Sequence, residues 1–326
     1  MDKSVVESRI RPRRSVCPKT LLGNRENRPG AAAQAGFVSW RALYPFQPKY
    51  IDRGDGIKMH YVDEGKGGPV VFVHGNPWWS FCFRDLMGAV KERRRVVAFD
   101  HVGMGLSEKP GEDRYEFTLQ NRVSDMSKLM DSLALEKITL VVHDWGGMIG
   151  CAWACLNPER VSRLVVFNTA AWIPEKYSFP WQLRLARSSL GELCVRGLNL
   201  FTIGGVATCF KRRKPAKDEV EGYYSPSKDA DNRLAQHRFV RDIPREQGVP
   251  AYELCKWTGD NLSKLSGKPA LIVWGGKDFV FTKPFYDEWV ARFPAAEKRY
   301  LPDAGHLVFD DASAEVVPLV RKFIEA

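Results

Sequence analysis

Residues Leu140-Val-Val-His-Asp-Trp-Gly-Gly-Met-Ile-Gly150 decide how this chain is read. The apolar run Ile138–Val142 has the length of a buried strand. The segment from Gly146 to Leu156 has helical length and stops at Asn157-Pro158, because the residue before a proline is pushed out of helical geometry. Asp144 therefore stands on the turn between a strand and a helix, and Gly146 and Gly147 allow the two backbones to approach closely. Such an elbow presents one reactive side chain at the end of a sheet. An aspartate at this position also reads as an ordinary cap of the helix that follows, so its chemistry depends on what other loops bring to it.

Outward from the elbow, strand-length segments recur. Lys58-Met-His-Tyr-Val-Asp-Glu-Gly reads as an early strand ending in a turn, and Gly67-Gly-Pro-Val-Val-Phe-Val-His as a short buried strand. Further β-rich runs lie at Val96–Phe99, Leu164–Phe167 and Ala270–Trp274, with helical segments predicted over Asp85–Arg93 and Leu119–Leu133. Strands that are apolar on both faces, separated by helices, predict a parallel sheet covered on both sides. Between Phe167 and Ala270 the alternation lapses into an irregular aromatic stretch, which includes Trp172, Tyr177, Trp181, Phe201, Tyr223 and Tyr224. It predicts a mostly helical cap over the carboxyl edge of the sheet, where open α/β sheets bind ligands. The expected organisation is a basic disordered extension over 1–36, a core made of 37–169 and 256–326, and a helical cap over 170–255.

Two later loops change the standing of Asp144. Val273-Trp-Gly-Gly-Lys-Asp278 ends a strand in an acid, and Pro302-Asp-Ala-Gly-His306 places a histidine after the next strand. The order nucleophile, acid, histidine resembles that of the α/β-hydrolases. Val73-His-Gly-Asn-Pro77 resembles the oxyanion loop of that superfamily. Together with Asp144-Trp145 and Phe99-Asp-His-Val-Gly-Met-Gly-Leu-Ser107, residues 44–326 resemble the haloalkane dehalogenase family, in the branch with an Asn-Trp halide clamp. The bacterial β-lactone decarboxylases of long-chain olefin synthesis belong to that branch. Asn76-Pro-Trp-Trp-Ser-Phe, the elbow and Phe167-Asn-Thr-Ala-Ala resemble them as well. The resemblance implies an α/β-hydrolase fold with a mostly parallel eight-stranded sheet flanked by helices. It also implies catalytic Asp144, Asp278 and His306, with Asn76 and Trp145 binding halide or oxyanion.

The residue types suit that chemistry. A carboxylate attacks a saturated carbon without a base to activate it and forms an ester, which water activated by His306 cleaves. Asp278 orients His306 and stabilises its imidazolium. Trp145 and Asn76 supply neutral N–H donors for a leaving halide, and their backbone N–H groups an oxyanion hole. The expected activity is thus dehalogenation to an alcohol through a covalent ester intermediate, with β-lactone decarboxylation to a cis-alkene as the alternative. Epoxide hydrolases resemble H-G-F-P at the loop where this chain has Asn76, although Tyr177, Tyr223 and Tyr224 offer cap tyrosines. Fluoroacetate dehalogenases lack Trp145, and a non-catalytic binding protein would not need an intact triad. Trp78 and Trp79 are expected near the pocket mouth, Asp100 in a structural turn, His143 in the core, and Asn168 outside the chemistry because it is no acid.

Composition excludes other classes. The 326 residues carry a net charge of +10, but residues 1–50 hold ten Lys/Arg against three acids, leaving only +3 for the rest. That is a basic tail on a nearly neutral body, which argues against nucleic acid as a partner. Lys211-Arg-Arg-Lys214 reads as a solvated helix end. No apolar run approaches about 18 residues, so no spanning helix is predicted. Seven scattered cysteines without C-x-x-C spacing predict reduced thiols and a cytoplasmic protein, with Cys151 and Cys155 as packing residues. No metal-binding spacing and no phosphate loop appears, so no metal or cofactor is expected. The expected partners are a small apolar substrate, water and a halide product, with self-association left open.

Overall fold

The computed structural model describes residues 39–175 and 179–326. The expected extension over 1–36 and Tyr177 lie outside the described residues. Eight strands form one sheet: β1 (Lys49–Asp52), β2 (Lys58–Glu64), β3 (Pro69–Val73), β4 (Arg95–Phe99), β5 (Ile138–Val142), β6 (Val161–Phe167), β7 (Ala270–Gly275) and β8 (Glu297–Leu301). Their order is β1-β2-β4-β3-β5-β6-β7-β8. β1 and β2 are antiparallel to their neighbours, and every pairing from β4 to β8 is parallel.

The strands alternate between two cores. In β3, Val71 and Val73 face one cluster while Val70 and Phe72 face the other; Leu140 and Val142 oppose Val141 in β5, and Ile272 opposes Leu271 and Val273 in β7. Both sides are apolar because helices cover both, which is why these strands read as continuous hydrophobic runs. The helices on the sheet are α1 (Arg84–Val90), α2 (Leu119–Ser132) and α3 (Trp145–Leu156), and Thr118 caps α2 by accepting from the Asn121 N–H. Every residue of α3 is buried, Cys151 and Cys155 included. A Cβ on Gly146 would lie 1.9 Å from the Val73 carbonyl oxygen, so only glycine lets α3 start this close to β3.

Between β6 and β7 lie α4 (Trp181–Arg187), α5 (Leu200–Cys209), α6 (Lys217–Tyr224), α7 (Leu234–Arg241) and α8 (Ala251–Asn261). The boundary expected between 255 and 256 falls inside α8, whose Ala251, Leu254, Cys255 and Trp257 join the sheet's own core. After β7, α9 (Lys283–Arg292) and α10 (Ser313–Glu325) complete the covering layers.

The basic run after α5 is not a solvated helix end. Arg212 pairs with Asp303 at 2.6 Å and Glu315 at 2.8 Å, and Arg213 with Glu219 at 2.6 Å and with Asp310. The backbone N–H groups of Lys211 and Arg212 both donate to Asp311 at 2.9 Å. Arg84 adds a bidentate contact to the buried Asp310 at 2.8 and 3.0 Å, so this cluster ties the β6–β7 insertion to the C-terminal segment.

Candidate active site

Asp144 occupies the turn from β5 to α3 with φ +51° and ψ −128°, a conformation costly for a residue with a Cβ. Surrounding bonds hold it there. Its N–H donates to the Asn168 carbonyl at 3.1 Å, and its own carbonyl accepts from the Gly147 N–H at 3.0 Å and from the Thr169 hydroxyl. The backbone N–H of Asn76 donates to Asp144 Oδ1 at 2.7 Å, and the Trp145 N–H also donates to this carboxylate. A Cβ on Gly75 would lie 2.0 Å from Asp144 Oδ1, so the loop after β3 passes the carboxylate as closely as a glycine permits.

The two distant loops converge on the same point. His306 Nε2 lies 3.7 Å from Asp144 Oδ2, and His306 Nδ1 lies 2.7 Å from Asp278 Oδ2. A carboxylate partner fixes the proton on Nδ1 and leaves the Nε2 lone pair turned toward Asp144. Asp278 is held in turn by the Val280 N–H at 2.7 Å and by Asn168 Nδ2 at 2.9 Å. Asn168, which the sequence reading sets outside the chemistry because it is no acid, therefore positions the acid; its amide is locked by the Gly275 N–H at 2.8 Å. His143 is buried, and its Nε2–H donates to the His306 carbonyl at 3.0 Å. Asp100 accepts from His60 and from the Ser80 and Leu106 N–H groups, bracing the turn after β4.

Burial pushes the Asp144 carboxyl up to about 6; nearby His306 and the Trp145 and Asn76 N–H groups pull the other way. The carboxylate is thus ionised near neutrality yet poorly solvated, as a nucleophile needs to be. His306 is moved in the opposite sense to most buried histidines. Burial lowers it, but Asp278 and Asp144 together leave it above its ordinary value.

Asp144, Trp145, Asn76 and His306 all line one cavity of about 590 Å³, whose walls include Trp78, Trp172, Phe179 and Phe281. The Asn76 amide gives one N–H to the Gln236 carbonyl at 3.0 Å, so a single N–H remains for a ligand, and its Oδ1 is buried without a partner. Trp145 stands edge-on to Phe239 with ring centres 5.2 Å apart. Trp79 does not reach the cavity: it stacks on Phe81 and donates to the Gly222 carbonyl at 2.9 Å. Tyr223 and Tyr224 do not line the cavity either, and the Tyr223 hydroxyl donates to Asp310. No described tyrosine faces Asp144, which removes the epoxide-opening acids from the described residues. Among the described residues no cluster of three or more His, Cys, Asp or Glu is placed to hold a metal ion.

The sheet order, the elbow and the cap insertion define an α/β hydrolase, and the family model described as "alpha/beta hydrolase fold" matches residues 68–313. The chain belongs to this family, in the branch that contains haloalkane dehalogenases and cis-3-alkyl-4-alkyloxetan-2-one decarboxylases. It is 42% identical to such a decarboxylase from Shewanella oneidensis, over 86% of this chain and 89% of that one. A second decarboxylase, from Xanthomonas campestris pv. campestris, is 39% identical over 86% and 97%. "Haloalkane dehalogenase 2" of Mycobacterium tuberculosis is 30% identical over 85% and 95%. In fold, the haloalkane dehalogenase DatA from Agrobacterium tumefaciens matches with a TM-score of 0.75, at 24% identity, over 86% of this chain and 96% of that one.

Proposed function

We propose that Asp144 attacks a saturated carbon to form an alkyl ester, and that cis-3,4-dialkyl β-lactones are the principal substrates, with haloalkanes second. The supporting observation is an ionised, poorly solvated carboxylate at the end of a large apolar cavity, with His306 Nε2 at 3.7 Å. Identity of 42% and 39% to two β-lactone decarboxylases, against 30% to the dehalogenase, favours the lactone over the halide.

For the lactone, an Asp144 oxygen bonds to ring carbon C4 as the C4–O1 bond breaks, and the negative charge moves from Asp144 to the freed carboxylate. The remaining Asn76 N–H and the Trp145 indole N–H hold that carboxylate. Its C–C bond then breaks to release CO₂, the electron pair forms the C3=C4 double bond, and the C4–oxygen bond returns its electrons to Asp144. Inversion at C4 followed by anti elimination converts a cis-lactone to a cis-alkene, with no water and no net proton. For a haloalkane the first step expels halide instead. His306 Nε2 then takes a proton from a water that attacks the ester carbonyl, whose oxyanion receives the Asn76 and Trp145 backbone N–H groups. Asp278 positions His306 in this reading.

The helices between β6 and α8 act as the cap that closes over Asp144, on the core made of the remaining segments. Reduced cysteines in a cytoplasmic setting agree with six unpaired thiols among the described residues, and no helix of the described residues is long and apolar enough to cross a membrane. The test follows alkene and halide separately for a cis-dialkyl β-lactone and for 1-bromobutane and 1,3-diiodopropane. Preference for the lactone by about a hundredfold in kcat/KM, some 2.7 kcal/mol, is expected; halide release at the higher rate would reverse the order.

A further inference from the structure

Among the described residues eight large hydrophobic side chains are exposed, and seven of them lie between residues 181 and 203. Single exposed apolar residues are ordinary, but a concentration of this kind marks an interaction surface. Trp181 on α4 is 68% exposed, and Leu190 on the turn beyond it and Leu193 at the start of a π-helix are 59% and 56% exposed. Leu198 follows, then Leu200 and Ile203 on α5. These are not frayed turns. The inner sides of the same segments pack together through Ala186, Val195 and Val240, with Phe201 against them. Trp181, Leu185 and Leu200 also line the cavity, so the outer apolar face runs without a break into the wall of the substrate site.

The acids at this face are each taken by an arginine, Glu192 and Asp231 by Arg196 and Glu246 by Arg187 at 3.7 Å. Arg212 and Arg213 each hold two carboxylates, but exposed Arg184, Arg241 and Arg245 have no carboxylate partner among the described residues. Arg184 donates to the Phe179 carbonyl at 2.9 Å, Arg241 to the Arg187 carbonyl at 2.8 Å, and the Arg245 guanidinium sits 4.7 Å over the Phe179 ring. An apolar face bordered by unpaired arginines is complementary to anionic headgroups over a hydrocarbon layer, where arginine stems lie along apolar surface and the heads stay at the interface. A second copy docked through the same face would set arginines against arginines.

We propose that the 181–203 face docks on an anionic phospholipid surface, setting the cavity mouth against the bilayer so that a lipid-dissolved substrate reaches Asp144 without crossing bulk water. The docking stands on this face alone and does not depend on which substrate Asp144 attacks. The full chain should co-sediment with vesicles of equimolar phosphatidylcholine and phosphatidylglycerol, bind pure phosphatidylcholine more weakly, and be released by salt. The combined Leu190→Glu, Leu193→Glu and Leu198→Glu variant replaces no cavity-lining residue. It should bind the mixed vesicles at least about tenfold more weakly, with unchanged melting temperature and unchanged turnover of a short-chain substrate in vesicle-free buffer. A second variant, Arg184→Glu with Arg241→Glu, should lose the preference for phosphatidylglycerol. Failure of the native chain to bind mixed vesicles, or equal binding by the leucine variant, overturns the proposal. So does a dimer mass by light scattering that the leucine variant abolishes, which would assign the face to self-association.

Discussion

Replacing Asp144 by asparagine should abolish turnover and make the protein more stable at neutral pH. A free aspartate titrates at 3.8, whereas the buried Asp144 carboxyl is pushed up to about 6. Holding it ionised in the folded chain therefore costs about 3 kcal/mol at pH 7. The substituted amide would be neutral throughout and still accept from the Asn76 N–H through its own Oδ1, so about 2 kcal/mol of net stabilisation is expected after an imperfect fit at the Trp145 N–H. At about 2 to 4 °C per kcal/mol, the Tm of D144N should lie roughly 5 °C above that of the native chain at pH 7.5. The sign fixes the pH window. A folded value above the unfolded one disfavours the folded native chain as soon as the unfolded carboxylate ionises. The variant should thus lose its advantage near the unfolded value, gain it as pH rises from there to about 6, and hold it constant above. Thermal melts of both proteins across that range measure it. A variant no more stable than the native chain at pH 7.5, or a gap independent of pH, would refute a desolvated carboxylate at the elbow.

Other consequences are read by kinetics and folding. Lactone turnover should fall on the acid side with a midpoint near 6, set by protonation of Asp144, while haloalkane turnover also needs neutral His306 and should extend its loss to higher pH; superimposable profiles would remove His306 from ester hydrolysis. Asn168→Ala deletes the 2.9 Å bond to Asp278, so ester hydrolysis should slow by about tenfold with little change in KM. Gly75→Ala brings a methyl to 2.0 Å from Asp144 Oδ1 and should abolish both activities, and an active, normally melting variant would show that the loop gives way.

What the sequence makes legible is local. The elbow, β3, β5 and β7 are short apolar runs with glycine or turn residues beside them, so their period and their boundaries sit within a few residues of each other. Asp278 follows a strand of the same kind, whereas His306 follows the largely exposed β8 and is legible only from the turn residues Pro302 and Gly305 before it. The edge strand β1 escapes because Lys49-Tyr-Ile-Asp52 is largely exposed and has no alternation to read. The Lys211–Lys214 run misleads because its partners Asp303, Asp310 and Glu315 lie about a hundred residues away, and only the fold brings the opposite charges together. Tyr223 looks available for catalysis in the sequence, yet Asp310 and Arg84 engage it in that same distant cluster. The positioning role of Asn168 escapes notice because its work is an amide bridge from β6 to the loop after β7, and no spacing in a single chain reveals a pairing across neighbouring strands.

The claim that Asp144 is the nucleophile is tested most directly by trapping its ester. In the proposed mechanism His306→Ala retains the attacking carboxylate and both sets of N–H donors but lacks the base that activates water. After exposure to 1-bromobutane, this variant should carry one butyl group, found by peptide mass spectrometry on the peptide that contains Asp144. The native chain under the same conditions should be unmodified and should release halide. No adduct on the variant, or an adduct on the cavity cysteines Cys194 or Cys209 in place of Asp144, would contradict the account.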